Sequence, residues 1–119
     1  MWAAPAGAQD LQPIAVPSGL EIALADVILD RDAGIARFRF VSGALSGDEG
    51  LTFSEVADDL TWLCEGVVRP ALSQQDWTGD QVVLSVSDRP TEFGVYDPTV
   101  VQYFQPFRLE DDGCAWEEV

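Results

Sequence analysis

Strand, strand, helix, strand, strand is the order of elements legible in this 119-residue chain. That order predicts an α+β domain in which an antiparallel sheet packs one face against a single main helix. Three observations carry the prediction. Apolar residues alternate in four separate segments, one segment between them repeats apolar residues at helical spacing, and two cysteines fall in that helix and near the C-terminus. A bond between Cys64 and Cys114 ties the helix to the C-terminal edge of the sheet.

Leu20, Ile22 and Leu24 alternate with Glu21 and Ala23, and the apolar parity then slips to Val27 and Leu29. A slip of this kind marks a strand with a bulge near Ala25 or Asp26. Asp30-Arg31-Asp32-Ala33-Gly34 reads as a hairpin turn ending on a glycine free to take positive φ. The return strand runs from Ile35 to Val41, with Ala36, Phe38 and Phe40 inward and Arg37 and Arg39 outward. Ser42 to Gly50 is a Gly/Ser/Asp loop.

Thr52-Phe53-Ser54-Glu55 fits a capping box, and Val56, Leu60, Leu63, Cys64 and Val67 continue as a helical stripe. Glu55, Asp58, Asp59 and Glu65 are expected on the opposite, solvated face; Asp58 and Asp59 stand early in the helix, where the macrodipole favours them. Pro70 is expected to end or kink the helix, with a short further turn between Ala71 and Gly79. Gln81 to Ser87 places Val82, Leu84 and Val86 inward. An irregular segment around Phe93-Gly94-Val95 leads to a strand from about Val100 to Leu109, which Pro106 confines to an edge or a bulge. Glu110-Asp111-Asp112-Gly113 is a turn, and Cys114-Ala115-Trp116 has the makings of a short last strand.

Composition narrows the chemistry. The chain has no histidine, lysine or asparagine, and its 21 carboxylates face six arginines, for a net charge of -15. The usual neutral-pH proton shuttle and the Schiff-base amine are therefore missing. Nucleic acid is an unsuitable ligand, because phosphates are bound by clustered Lys and Arg. No stretch approaches the ~18 apolar residues of a membrane-spanning helix. The acidic balance favours a cationic partner or loosely held divalent ions.

Ala6-Gly7-Ala8 has the small-x-small form of a signal peptidase site, so residues 1–8 are read as a signal-peptide remnant and 9–119 as the single domain. The cysteines agree with export to a periplasmic or secreted location. Their spacing is not that of a redox dithiol, and in an oxidising compartment one structural disulfide is the natural reading. Closing a loop of ~50 residues stabilises by roughly 4 kcal/mol in the chain-entropy model.

The second half of the chain carries a resemblance. Asp88-Arg89-Pro90-Thr91-Glu92-Phe93-Gly94, Tyr103-Phe104, Phe107-Arg108-Leu109-Glu110 and Gly113-Cys114-Ala115-Trp116-Glu117 resemble the recurring blocks of a small uncharacterised family of exported alphaproteobacterial proteins. The resemblance implies export and one small domain, and no activity.

Candidate sites follow from the residues. Asp30-x-Asp32-x-Gly34 opens like a calcium loop, yet the later ligand positions fall on Gly34, Ile35 and Val41 and fail. Glu110, Asp111 and Asp112 form a cation site only if Asp48 or Glu49 meets them. A carboxylate pair could hydrolyse glycosides without histidine, whereas Ser54, Ser73, Ser85 and Ser87 have no base to activate them. Trp62, Trp77 and Phe104 with Arg37, Arg39 and Arg108 are the residue types of binding hot spots. In the competing reading the tryptophans cover the core and the arginines pair with acids, Arg39 with Asp26 across the hairpin. The expectation is an exported, non-catalytic interaction module or accessory subunit that uses no cofactor and binds a protein partner, a basic one if its acidic surface steers the encounter. The alternative is a small-ligand or divalent-cation binder, followed by a carboxylate-dependent hydrolase.

Overall fold

A computed structural model describes residues 14–43, 53–92, 98–111 and 113–117. Six strands form one sheet in chain order: β1 (Ile14–Ala15), β2 (Glu21–Asp30), β3 (Ile35–Val41), β4 (Gln81–Ser87), β5 (Gln102–Glu110) and β6 (Gly113–Trp116). Between β3 and β4 the chain forms one continuous helix, made of α1 (Phe53–Leu63), a π turn (Cys64–Val68) and α2 (Arg69–Gln74).

The sheet is mixed, which corrects the antiparallel expectation. β3 and β4 are adjacent and parallel, from Ile35 opposite Gln81 to Val41 opposite Ser87, while the other neighbours are antiparallel. The helix supplies the reason. A rod of this length carries the chain back along the sheet, so β4 starts at the same end as β3. Two strands also extend the expected four. β1 is a two-residue strand on the outside of β2, and the segment around Cys114 does pair, as β6, with β5.

The hairpin follows its sequence closely. The β2–β3 register shifts between Leu24 and Asp26, the bulge that the parity slip implied. Beyond it Val27 faces Phe38 and Leu29 faces Ala36, so both return to the helix side. Gly34 takes φ 72° at the turn, and its N–H donates to the Asp30 carbonyl at 2.9 Å. The Asp30 carboxylate accepts from the Ala33 N–H at 3.1 Å.

The core lies between helix and sheet. Ile22, Phe38, Phe40, Leu84, Val86 and Phe107 meet Val56, Leu60, Leu63, Cys64 and Val68, all buried. Each such side chain contributes about 1.5–3 kcal/mol by leaving water. Pro70 does not end the helix. Arg69 donates its N–H five residues back to the Cys64 carbonyl, and the widened turn makes room for a proline that has no N–H of its own. The Thr52 capping box, the loop over 44–50 and the segment 93–97 lie outside the described residues.

The helix is strapped on both flanks. Toward β6, Cys64 and Cys114 form the expected disulfide, with Cα atoms 6.3 Å apart. Thr61 Oγ1 accepts from the Trp116 indole N–H at 2.9 Å, and Arg69 donates to the carbonyls of Glu110 and Asp111 at 3.2 and 3.1 Å. Toward β1 the strap is Asp59, and here the surface expectation fails. Asp58 is exposed as foreseen, but Asp59 is fully buried. One helical step, about 100°, separates it from the buried Leu60, which turns it to the flank of the stripe. There it accepts the Ser18 N–H at 3.0 Å and the Ser18 hydroxyl at 2.5 Å, which compensates its burial.

Two stability outcomes follow. Replacing both Cys64 and Cys114 by Ser lowers the unfolding free energy by about 4 kcal/mol, since the bridge spans 50 residues; urea unfolding of oxidised protein beside the variant reads this. Asp59→Ala leaves the Ser18 donors unpaired and costs about 1–3 kcal/mol. Ser18→Ala combined with Asp59→Ala should cost clearly less than the two single losses added, in a double-mutant cycle.

Candidate functional site

Sheet parity decides which side chains share a surface. Three rows cross the sheet on the face away from the helix. Asp26, Arg39, Ser85 and Phe104 stand in register; the next row is Ile28, Arg37, Val83 and Pro106; the third is Asp30, Ile35, Gln81 and Arg108. The structure thus brings Arg37, Arg39, Phe104 and Arg108 onto one open face. Phe104 is 57% exposed there, an apolar ring presented to water beside half-buried Val83 and Pro106.

Arg39 and Arg108 on this face are engaged by acids. Arg39 lies 3.3 Å from Asp26 Oδ2, the pair expected from the hairpin, and donates to Thr91 Oγ1 at 2.8 Å. Its side chain is only 14% exposed. Arg108 bridges Asp80 at 3.2 Å and Glu117 at 2.6 Å while remaining half exposed. Gln81 Nε2 donates to the same Glu117 carboxylate at 3.0 Å, which fixes its position. What this face presents is two guanidinium groups held in place by carboxylates, with a bare phenyl ring on the same side of the sheet. Such preorganised Arg and aromatic groups lose little rotamer freedom on binding.

A cleft of about 140 Å³ opens beside the bulge, lined by Ala25, Asp26, Arg39, Ser87, Pro90 and Thr91. Ligand pockets typically enclose about 300–1,000 Å³, so this one suits a single inserted side chain. The bulge shapes it: the extra residue in β2 bends the strand and aims Asp26 at Arg39.

Trp62 and Trp77 do not join the open face. Trp62, 43% exposed, stands on the outer side of α1, across the sheet from Phe104. Trp77 is half-buried against the core after α2, with the Arg31 guanidinium 5.6 Å from its ring centroid. Its indole N–H is buried with no partner among the described residues. Gly79 makes this packing tight, because a Cβ there would fall 2.5 Å from the Gly34 carbonyl oxygen and 2.8 Å from Trp77 Cζ2.

Sequence reasoning missed Thr91 and Pro90 in the cleft and the half-exposed Trp116 beside α1. The adjacent Pro90-Thr91 pair gave no periodic signal. Of the cation candidates, Glu110 and Asp111 are exposed, and their carbonyls accept from Arg69, which sets a positive charge at that turn. Asp112, Asp48 and Glu49 lie outside the described residues, and among the described residues no cluster of three carboxylate or cysteine ligands is found. No helix among them is long and apolar enough to cross a membrane.

The profile of a protein family described as "Family of unknown function (DUF6497)" matches residues 1–119. No curated protein and no solved structure matches the chain.

The close approach of Gly79 to the Gly34 backbone has a measurable outcome. Gly79→Ala must displace the β2–β3 turn or the Trp77 ring, and costs about 1–3 kcal/mol in urea unfolding. Tryptophan emission should shift to the red in the same variant as Trp77 gains water.

Proposed function

Because the chain belongs along its whole length to that family of unknown function, we propose a role from its own surface: a non-catalytic interaction module that docks a protein partner on the open face of the sheet. The observation that carries this reading is Phe104, 57% exposed at the β5 end of its row on a face where Arg39 and Arg108 are already held in place. Aromatic and Arg side chains of this kind supply most of the energy at protein interfaces, and the single-side-chain cleft beside Arg39 offers a socket for a partner's anchor. The net charge of -15 steers a basic partner toward the molecule, with the rim acids acting on approach and the ring acting on contact.

A non-catalytic role is supported by the residue inventory, which lacks histidine and lysine, and by the use of the buried Asp59 carboxylate as a clasp for Ser18. The accessory role is assigned to an exported protein, in the periplasm or outside the cell. The Cys64–Cys114 bond fits an oxidising compartment, and the Ala6-Gly7-Ala8 triplet fits export.

The test compares wild-type protein with Phe104→Asp in affinity capture from the native envelope at low and high salt. A stoichiometric partner that wild type retains at low salt, and that both high salt and Phe104→Asp release, supports the reading. Circular dichroism of the variant should be unchanged, as the ring already stands in water. A partner held equally by Phe104→Asp, or no partner at either salt, would refute it.

A further inference from the structure

Among the described residues, β2 has hydrogen-bonding capacity left over on its outer side, beyond the short β1. β1 pairs with only Glu21 and Ile22 of this ten-residue strand. From Ala23 to Asp30 the outward N–H and C=O groups of β2 therefore have no ladder partner among the described residues. Pro17, two residues after β1, cannot donate to a ladder. The bulge between Leu24 and Asp26 breaks the edge in two, and such bulges commonly protect edges. The regular part that remains is Asp26-Val27-Ile28-Leu29-Asp30.

This short edge has an apolar side and an acidic side. Val27 points to the helix side of the sheet, directly across from Phe38, yet it is 41% exposed while Phe38 is 2% exposed. The difference arises because Phe38 lies inside the sheet and Val27 on its last strand, beyond the cover that the helix provides. On the other side stand Asp26 and Asp30, with Ile28 between them. Asp26 uses Oδ2 for Arg39 and Asp30 uses Oδ1 for the Ala33 N–H, so each carboxylate has a second oxygen to offer. The strand carries Glu21, Asp26 and Asp30 and no cationic residue.

We propose that the β2 edge from Asp26 to Asp30 is a strand-addition site for an extended segment of a basic partner protein. The segment carries two basic side chains four residues apart on one face and aliphatic side chains on the other. Main-chain bonds to the edge, unpaired among the described residues, provide affinity, and the alternating side chains provide selection. Added beside β2, the segment covers Val27 and sets its basic residues opposite Asp26 and Asp30. A second copy of this chain fits the edge poorly. Antiparallel self-pairing centred on Ile28 sets Asp26 against Asp30 twice, and like charges facing each other repel. Asp26 and Asp30 also border the open face, but Phe104 stands three strands away on β5, so Phe104→Asp tests the docking face and Val27→Lys, on the helix side of β2, tests the edge.

The probe is a labelled peptide, Ser-Lys-Val-Thr-Val-Lys-Ser, titrated into the full chain at low salt and followed by fluorescence anisotropy. Two controls accompany it, one with glutamate in place of each lysine and one N-methylated at every central amide. The expected result is binding of the lysine peptide that falls by about tenfold or more in both controls and in Val27→Lys. Asp30→Lys, read separately in case Val27→Lys fails to fold, should shift the preference toward the glutamate peptide. Absence of binding by the lysine peptide, or equal affinity for the N-methylated one, would overturn the proposal. So would a concentration-dependent dimer that Val27→Lys abolishes, which would give the edge to a second copy.

Discussion

The helical crossover between β3 and β4 is the constraint on which the rest of the architecture depends. Parallel neighbours cannot be joined by a tight turn, so the chain has to travel the length of the sheet before β4 begins. It does so as a helix, and the helix has an apolar stripe that must be covered. The stripe lands on one side of the sheet, where Phe38, Phe40, Leu84 and Phe107 receive it. The described residues supply one crossover, and the helix it forms lies on one side. The face bearing Phe104 and the uncovered side of β2 are both products of that count.

A helix laid on a sheet by apolar contacts alone can slide, because dispersion and water exclusion have little directional preference. Directional contacts remove that freedom here. Asp59 with Ser18 holds one flank, and the disulfide, the Thr61–Trp116 hydrogen bond and the Arg69 contacts hold the other. The π turn sits between these anchors, where the chain admits Pro70 without losing its direction. Rigid attachment of the helix keeps the strands beneath it in register. The guanidinium groups of Arg39 and Arg108 inherit that order from the backbone that carries them.

Local patterns were the legible part of this chain. The period of two revealed β3 and β4 with their inward residues, the parity slip revealed the bulge, and opposite charges across a hairpin revealed Arg39 with Asp26. The cysteine pair was legible for a different reason, since two cysteines have one pairing. Features that depend on distant partners were not legible. β1 is too short for any period, and the direction of β4 relative to β3 is a property of three-dimensional routing. Asp59 reads as a surface acid until Ser18, 41 residues away, is placed beside it. The same division applies to the candidate site. Parity along single strands grouped Arg37 with Arg39 and Phe104 with Arg108, whereas the separation of Trp62 from them required knowing which side the helix covers.

The bond between Cys64 and Cys114 also has a mechanical meaning. It closes a covalent ring that contains the end of the helix, all of β4 and β5 and the turn into β6, and it leaves β1, β2, β3 and α1 outside. Tension applied to the chain on either side of the bridge passes through the two sulfurs and bypasses the ring. With 50 residues spanned, roughly 170 Å of extensible length stays hidden until the sulfurs are reduced. A molecule stretched between two attachments would then yield its N-terminal strands first, while the strand that carries Phe104 bore no load.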